Sequence, residues 1–232
     1  MNPLFAHDMK YAVPLVGTLL IGACVGGPPA PDWQVEAKGS MERSIAAYMV
    51  GNSRVEAAEL ARARSQLSRT GRADLLATAE LLHCATRVAS LVFEPCAGFE
   101  PLRLDATQAQ RAYADFLQGK ATGENIALLP QAQRAAAGGD ASSLKAIGDP
   151  LSQLVAAGVL LQTSRADPMV IAQAIEAASA QGWRRPLLAW LGVQVKRAES
   201  AGDMQEADRL RRRLALAQGD GLELPQPERD KK

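Results

Sequence analysis

Reactive side chains are few in this sequence, and their scarcity bounds the chemistry it can do. Its thiols are Cys24, Cys84 and Cys96, and its imidazoles are His7 and His83. A zinc site draws on about four converging Cys, His or carboxylate ligands. His83 and Cys84 are neighbours that leave a helix in different directions, so they do not converge. A Ser/His/Asp system would rest on His83 alone, and no GxSxG elbow occurs in the chain. These absences predict no metal, no cofactor and no enzyme, with His83 as a partly buried helical histidine.

The elements that place these residues begin with residues 11–23, YAVPLVGTLLIGA, preceded by Lys10 and closed by Gly22 and Ala23. A basic start, a short apolar run and a small-residue exit read as an export leader, too short to span a bilayer. Met9 as well as Met1 could open such a leader. Residues 25–31, VGGPPAP, cannot form helix or strand and read as a spacer.

Within that leader Ile21, Gly22, Ala23 and Cys24 form an aliphatic residue, two small residues and a cysteine. The motif resembles the lipobox of bacterial lipoproteins. The resemblance implies that the Cys24 thiol receives a diacylglycerol and that the leader is removed before it, with acylation of the new amino terminus. Each buried CH2 contributes about 0.8 kcal/mol, so two or three chains attach a protein durably where one does not. In that family an Asp after the cysteine favours the inner membrane. Val25 stands there, which implies the outer membrane, periplasmic face.

Export makes the compartment oxidising, so Cys84 and Cys96 are expected to pair as a disulfide, the alternative being two free buried thiols. Cys84 falls in a predicted helix and Cys96 follows Pro95 beyond its end, so the chain must fold back between them.

Hydrophobic residues make up 47% of the chain but aromatics only 4%, with alanine and leucine dominant. That composition favours helix over strand. The formal net charge of +1 provides no field for nucleic acid or another polyanion. Residues 53–56, SRVE, predict a capping box that opens a helix to about Ser68. After Gly71 a second helix carries Leu75, Ala79, Leu82, Thr86, Ala89 and Phe93 at helical steps, and the two are expected to form an antiparallel hairpin. Asp105 with Gln108 opens a helix to about Leu117. Pro130 and Gly138-Gly139 then allow only short helices. Asp149-Pro150 and Asp167-Pro168 each pair an acidic N-cap with a proline at the first helical position. Gly182 ends the second of these helices, Pro186 opens the next, and Gly202 ends it. Asp203 caps the last helix, whose stripe is Ala207, Leu210, Leu214 and Ala217.

Residues 198–217, AESAGDMQEADRLRRRLALA, are similar to the turn and second helix of a tetratricopeptide repeat, with Gly202 and Ala207 at its small-residue positions. That family's first-helix tryptophan and glycine are out of register here, since residues 190–192, WLG, are displaced. The fold class is therefore all-α, either stacked antiparallel helical hairpins in a TPR-like solenoid or an irregular helical bundle. The expected division is a leader over 1–23, a lipidated start and tether over 24–38, a helical body over 39–219 and a disordered tail over 220–232.

Arg209, Arg211, Arg212 and Arg213 follow Asp203, Glu206 and Asp208, so they read as a solvated face with Asp208 pairing Arg212 one turn on. Trp183 and Trp190 are seven apart and read as core. Glu199-Ser200 resembles the Glu-Ser pair that ends the catalytic helix of lytic transglycosylases, but the later elements of that family are absent, and Glu199 reads as a surface residue. The resulting expectation is a non-enzymatic lipoprotein held to membrane lipid through Cys24, binding an envelope protein partner as an assembly or stabilising factor. The alternative is a peptidoglycan-binding or lytic protein.

Overall fold

The computed structural model describes residues 30–139 and 141–219. The leader, Cys24 with its lipobox and the tail from residue 220 lie outside the described residues. Those described are helical throughout, with no strand among them. Ten α-helices follow one another: α1 (Asp32–Val50), α2 (Ser53–Ser68), α3 (Ala73–Ala89), α4 (Gln108–Leu117), α5 (Gly123–Ile126), α6 (Gln131–Ala137), α7 (Pro150–Gln162), α8 (Pro168–Ala180), α9 (Arg184–Ser200) and α10 (Met204–Gln218). Short 3-10 turns occupy Glu100–Leu102 and Ala141–Ala146. None of these helices is long and apolar enough to cross a membrane.

The first helix begins at Asp32, seven residues ahead of the expected start of the helical body at residue 39 and directly after the spacer composition of residues 25–31. Once Pro31 is passed nothing in residues 32–38 opposes a helix, and Pro immediately before the first turn costs no hydrogen bond. This helix changes the pairing of the next two. α2 lies mainly along α1, and its contact with α3 is slighter than the expected hairpin. The turn between α1 and α2 is made by Gly51 at φ 92°, a left-handed position whose amide closes the end of α1.

The caps are partly as expected. Asp149, Asp167 and Asp203 each accept a hydrogen bond from the main-chain N–H three residues on. Residues 53–56 do not form a capping box: Asn52 is the N-cap, accepting from Val55 N, and Glu56 is drawn into the interior instead. Likewise the helix after Asp105 opens at Thr107, whose hydroxyl and Gln110 make the reciprocal pair. α9 begins at Arg184, two residues ahead of Pro186.

α3 is the hub. It packs on α1, α2, α4 and α7. Gly158 of α7 sits so close to α3 that a Cβ there would fall 2.4 Å from the Val88 carbonyl. The stripe Ala77, Leu81, Ala85 and Val88 is buried in the main core, while Phe93, beyond the helix end, is exposed. Helices α7 to α10 pack successively, as stacked hairpins do. However, α3 also meets α7 and α9 returns onto α1, contacts between distant elements that a nearest-neighbour stack lacks. The described helices therefore form an irregular bundle with a hairpin stack at its carboxyl-terminal end. Trp190 is fully buried and its Nε1 donates to the Ala89 carbonyl at 3.1 Å, tying α9 to the end of α3. Trp183 packs partly buried against the same core.

Candidate functional site

The side of α3 that carries Glu80, His83 and Arg87 meets α2 and α1 across a charged seam. Three glutamates lie buried there, each held by arginine. Glu56 accepts from Arg87 Nη2 at 2.6 Å and lies 3.2 Å from His83 Nε2. Glu59 accepts from Arg43 at 3.0 Å and from Arg62 at 2.7 Å. Glu80 takes both prongs of Arg64, at 2.5 and 2.6 Å. Such forked pairs combine charge with fixed geometry. Ser44 adds a hydrogen bond to the Glu56 carbonyl, joining α1 to α2.

Arg87 also lies 4.3 Å from the centroid of the Tyr48 ring, as does Arg185 of α9. Arg185 continues to the Tyr48 carbonyl and the Ser53 hydroxyl, both at 2.8 Å. Cation–π contacts of this kind fix a guanidinium without neutralising it. Burial, and then the charge of Arg87, hold the His83 imidazole below its ordinary value against the opposing pull of Glu56. His83 is therefore neutral at pH 7, a helical residue only partly exposed, as its sequence context suggested.

Cys84 and Cys96 form a disulfide with Cα atoms 5.5 Å apart. The bond brings residues 92–98 back over α3, enclosing a polar cavity of about 420 Å³. Its walls include Arg64, Glu80, His83, Arg87, Glu94 and Gly98. A Cβ on Gly98 would fall 1.9 Å from Glu80 Oε2, so the loop rests directly on the Arg64–Glu80 pair.

The other side of α3 is apolar. One depression of about 340 Å³ runs between α1, the end of α2 and α3, lined by Trp33, Met41, Leu67, Leu75 and Leu82. A second, of about 430 Å³, lies between α3, α4 and residues 128–130, with Leu81, Tyr113 and Leu129 in its walls. Both are open, and they share Thr78 and Leu82, so together they form one groove across α3. The charged side chains of its lining, Lys38 and Arg72, are paired with Glu42 and Asp74 beside them.

The remaining expected residues take structural places. Arg211, not Arg212, is the partner of Asp208, and Arg211 also pairs with Glu199, which lies on the surface of α9 as expected. Arg209 pairs with Glu206. Among the described residues no group of three or more His, Cys, Asp and Glu side chains could hold a metal ion. The groove and the charged seam were both missed at the sequence level. For the groove, the Leu75, Ala79, Leu82 stripe was a usable signal, because a second apolar stripe on the same helix exceeds what one core face requires. No family model, no curated protein and no solved structure matches this chain.

Proposed function

We propose that the protein is a lipid-anchored docking module, attached through acylated Cys24 to the periplasmic face of the outer membrane, whose apolar groove receives a helix from an envelope protein. The observation that carries this reading is the groove itself: two open apolar depressions meet at Thr78 and Leu82 and are rimmed by Lys38 and Arg72. Such a trough suits an amphipathic helix that anchors apolar side chains at every third or fourth position. The charged seam favours the same reading from the other side. Its carboxylates are engaged by arginines within the protein, which makes a clamp between helices and supplies no free acid and base for catalysis.

The test has two parts. The intact mass of chain extracted from envelopes reports a diacylglycerol on Cys24 and its loss in Cys24→Ala. A photoreactive residue in place of Thr78 should then yield one stoichiometric cross-linked species, whose cross-linked peptide is an amphipathic segment. Leu82→Glu should remove that species while leaving the melting temperature within a few degrees. An unmodified Cys24, or cross-links indifferent to Leu82→Glu, would sink the corresponding half of the proposal.

A further inference from the structure

The polar cavity under the disulfide loop is independent of the groove, and its chemistry points to a small ligand. Arg64 gives Nε and Nη2 to Glu80, and Arg87 gives Nη2 to Glu56. The remaining nitrogens, Nη1 of Arg64 and Nε and Nη1 of Arg87, make no hydrogen bond among the described residues. Both guanidinium groups are nonetheless fixed, one by its fork on Glu80 beneath Gly98 and the other by Glu56 and the Tyr48 ring. Pre-set donors of this kind bind with little ordering cost. Across the cavity, Glu94 is exposed and makes no hydrogen bond or ion pair among the described residues.

Charge then decides the class of ligand. In the lining Arg64 and Arg87 are offset by Glu80 and Glu94, and Glu56 behind Arg87 makes the cluster net negative. A simple anion gains no net attraction, and a simple cation meets the guanidinium nitrogens. A molecule with a carboxylate at one end and an ammonium at the other satisfies both walls. The volume of about 420 Å³ falls within the range of small-molecule sites and accommodates more than one residue.

We propose that this cavity binds a short peptide or amino-acid zwitterion, its carboxylate on the outer nitrogens of Arg64 and Arg87 and its ammonium on Glu94. The disulfide is part of the site, because it holds residues 92–98 in place as the second wall.

The experiment titrates the full-length, oxidised chain with trialanine by calorimetry, beside N-acetylated trialanine, C-amidated trialanine and free alanine. Trialanine should bind saturably at or below millimolar concentration, and blocking either end should weaken it. Arg64→Lys keeps a cation for Glu80 but loses the third nitrogen of the fork, and should weaken trialanine about tenfold. Glu94→Gln alters an exposed side chain outside the ion-pair network, so folding is preserved; it should weaken trialanine about threefold and leave the N-acetylated form unchanged. Equal binding of alanine and trialanine would keep the two-ended recognition and name the free amino acid as its source. No saturable binding, or equal binding of the end-blocked peptides, would overturn the proposal, as would indifference to Glu94→Gln.

Discussion

The two sides of α3 differ in what they have left to offer. Toward α1 and α2 the helix presents Glu80, His83 and Arg87, and nearly every charge there is answered within the chain. Toward α4 and the first turns of α1 it presents half-covered Leu75 and Leu82 and exposed Thr78, facing open depressions. The first side binds helix to helix through buried ions, an arrangement that is costly to break because an uncompensated charge is left behind. The second leaves apolar area in water, which contributes nothing to the fold and is available to an incoming surface. One helix thus separates an internal clamp from an external face.

Substitutions on the two sides of α3 should separate these roles. Arg87→Met keeps the packing volume but leaves Glu56 buried with only neutral His83 beside it, and also removes a cation from Tyr48. The expected loss is about 3 kcal/mol in urea unfolding, largely restored when Glu56→Gln is added. Leu82→Glu, on the groove side, should cost less than about 1 kcal/mol. Equal costs on the two sides would abolish the distinction. The next largest effect concerns the cavity wall. Replacing both Cys84 and Cys96 by Ser releases the loop and should cost nearly 3 kcal/mol. Hydrogen exchange should quicken over residues 91–99 and stay unchanged at Leu75 and Thr78. Exchange that quickens equally on both sides would show that the disulfide supports the whole bundle.

How much of this was legible in the sequence depends on the kind of interaction. The Asp-Pro caps and the glycine breaks were readable, because each acts through the local backbone, and they located α7 to α10 to within a few residues. The disulfide pairing was readable from the oxidising compartment that the leader predicts and the short spacing of Cys84 and Cys96. The seam was not. Glu56 was assigned to a local cap three residues from Ser53, yet its partners are His83 and Arg87, distant in sequence, and only the packing of α2 on α3 brings them together. Helix α1 was missed for a related reason: its residues alternate polar and apolar types without one clean stripe, since both α2 and α9 cover it. The groove was half legible. Its residues were named, but as a core stripe, because a sequence does not show which of two apolar faces remains uncovered.

The smallest expected effect tests the seam from within. Burial and the neighbouring Arg87 lower the folded-state affinity of His83 for a proton, while Glu56 opposes them. In the unfolded chain His83 titrates near its ordinary value of about 6.5. Between that value and the lower folded one, the unfolded state binds the proton that the folded state refuses, so stability must fall as pH falls and be whole above about pH 7.5. Urea midpoints should therefore decline between pH 7.5 and pH 5.5, a window above the ordinary range of carboxylates. The charged groups facing His83 are Glu56, Glu80 and Arg87. His83→Gln should flatten the profile while keeping an acceptor for Arg87, whose Nη2 lies 2.9 Å from His83 Nε2. A profile that instead rises on acidification would mean that Glu56 dominates, making the pair a protonation-stabilised clamp and reversing the order of the forces assigned to this side of α3.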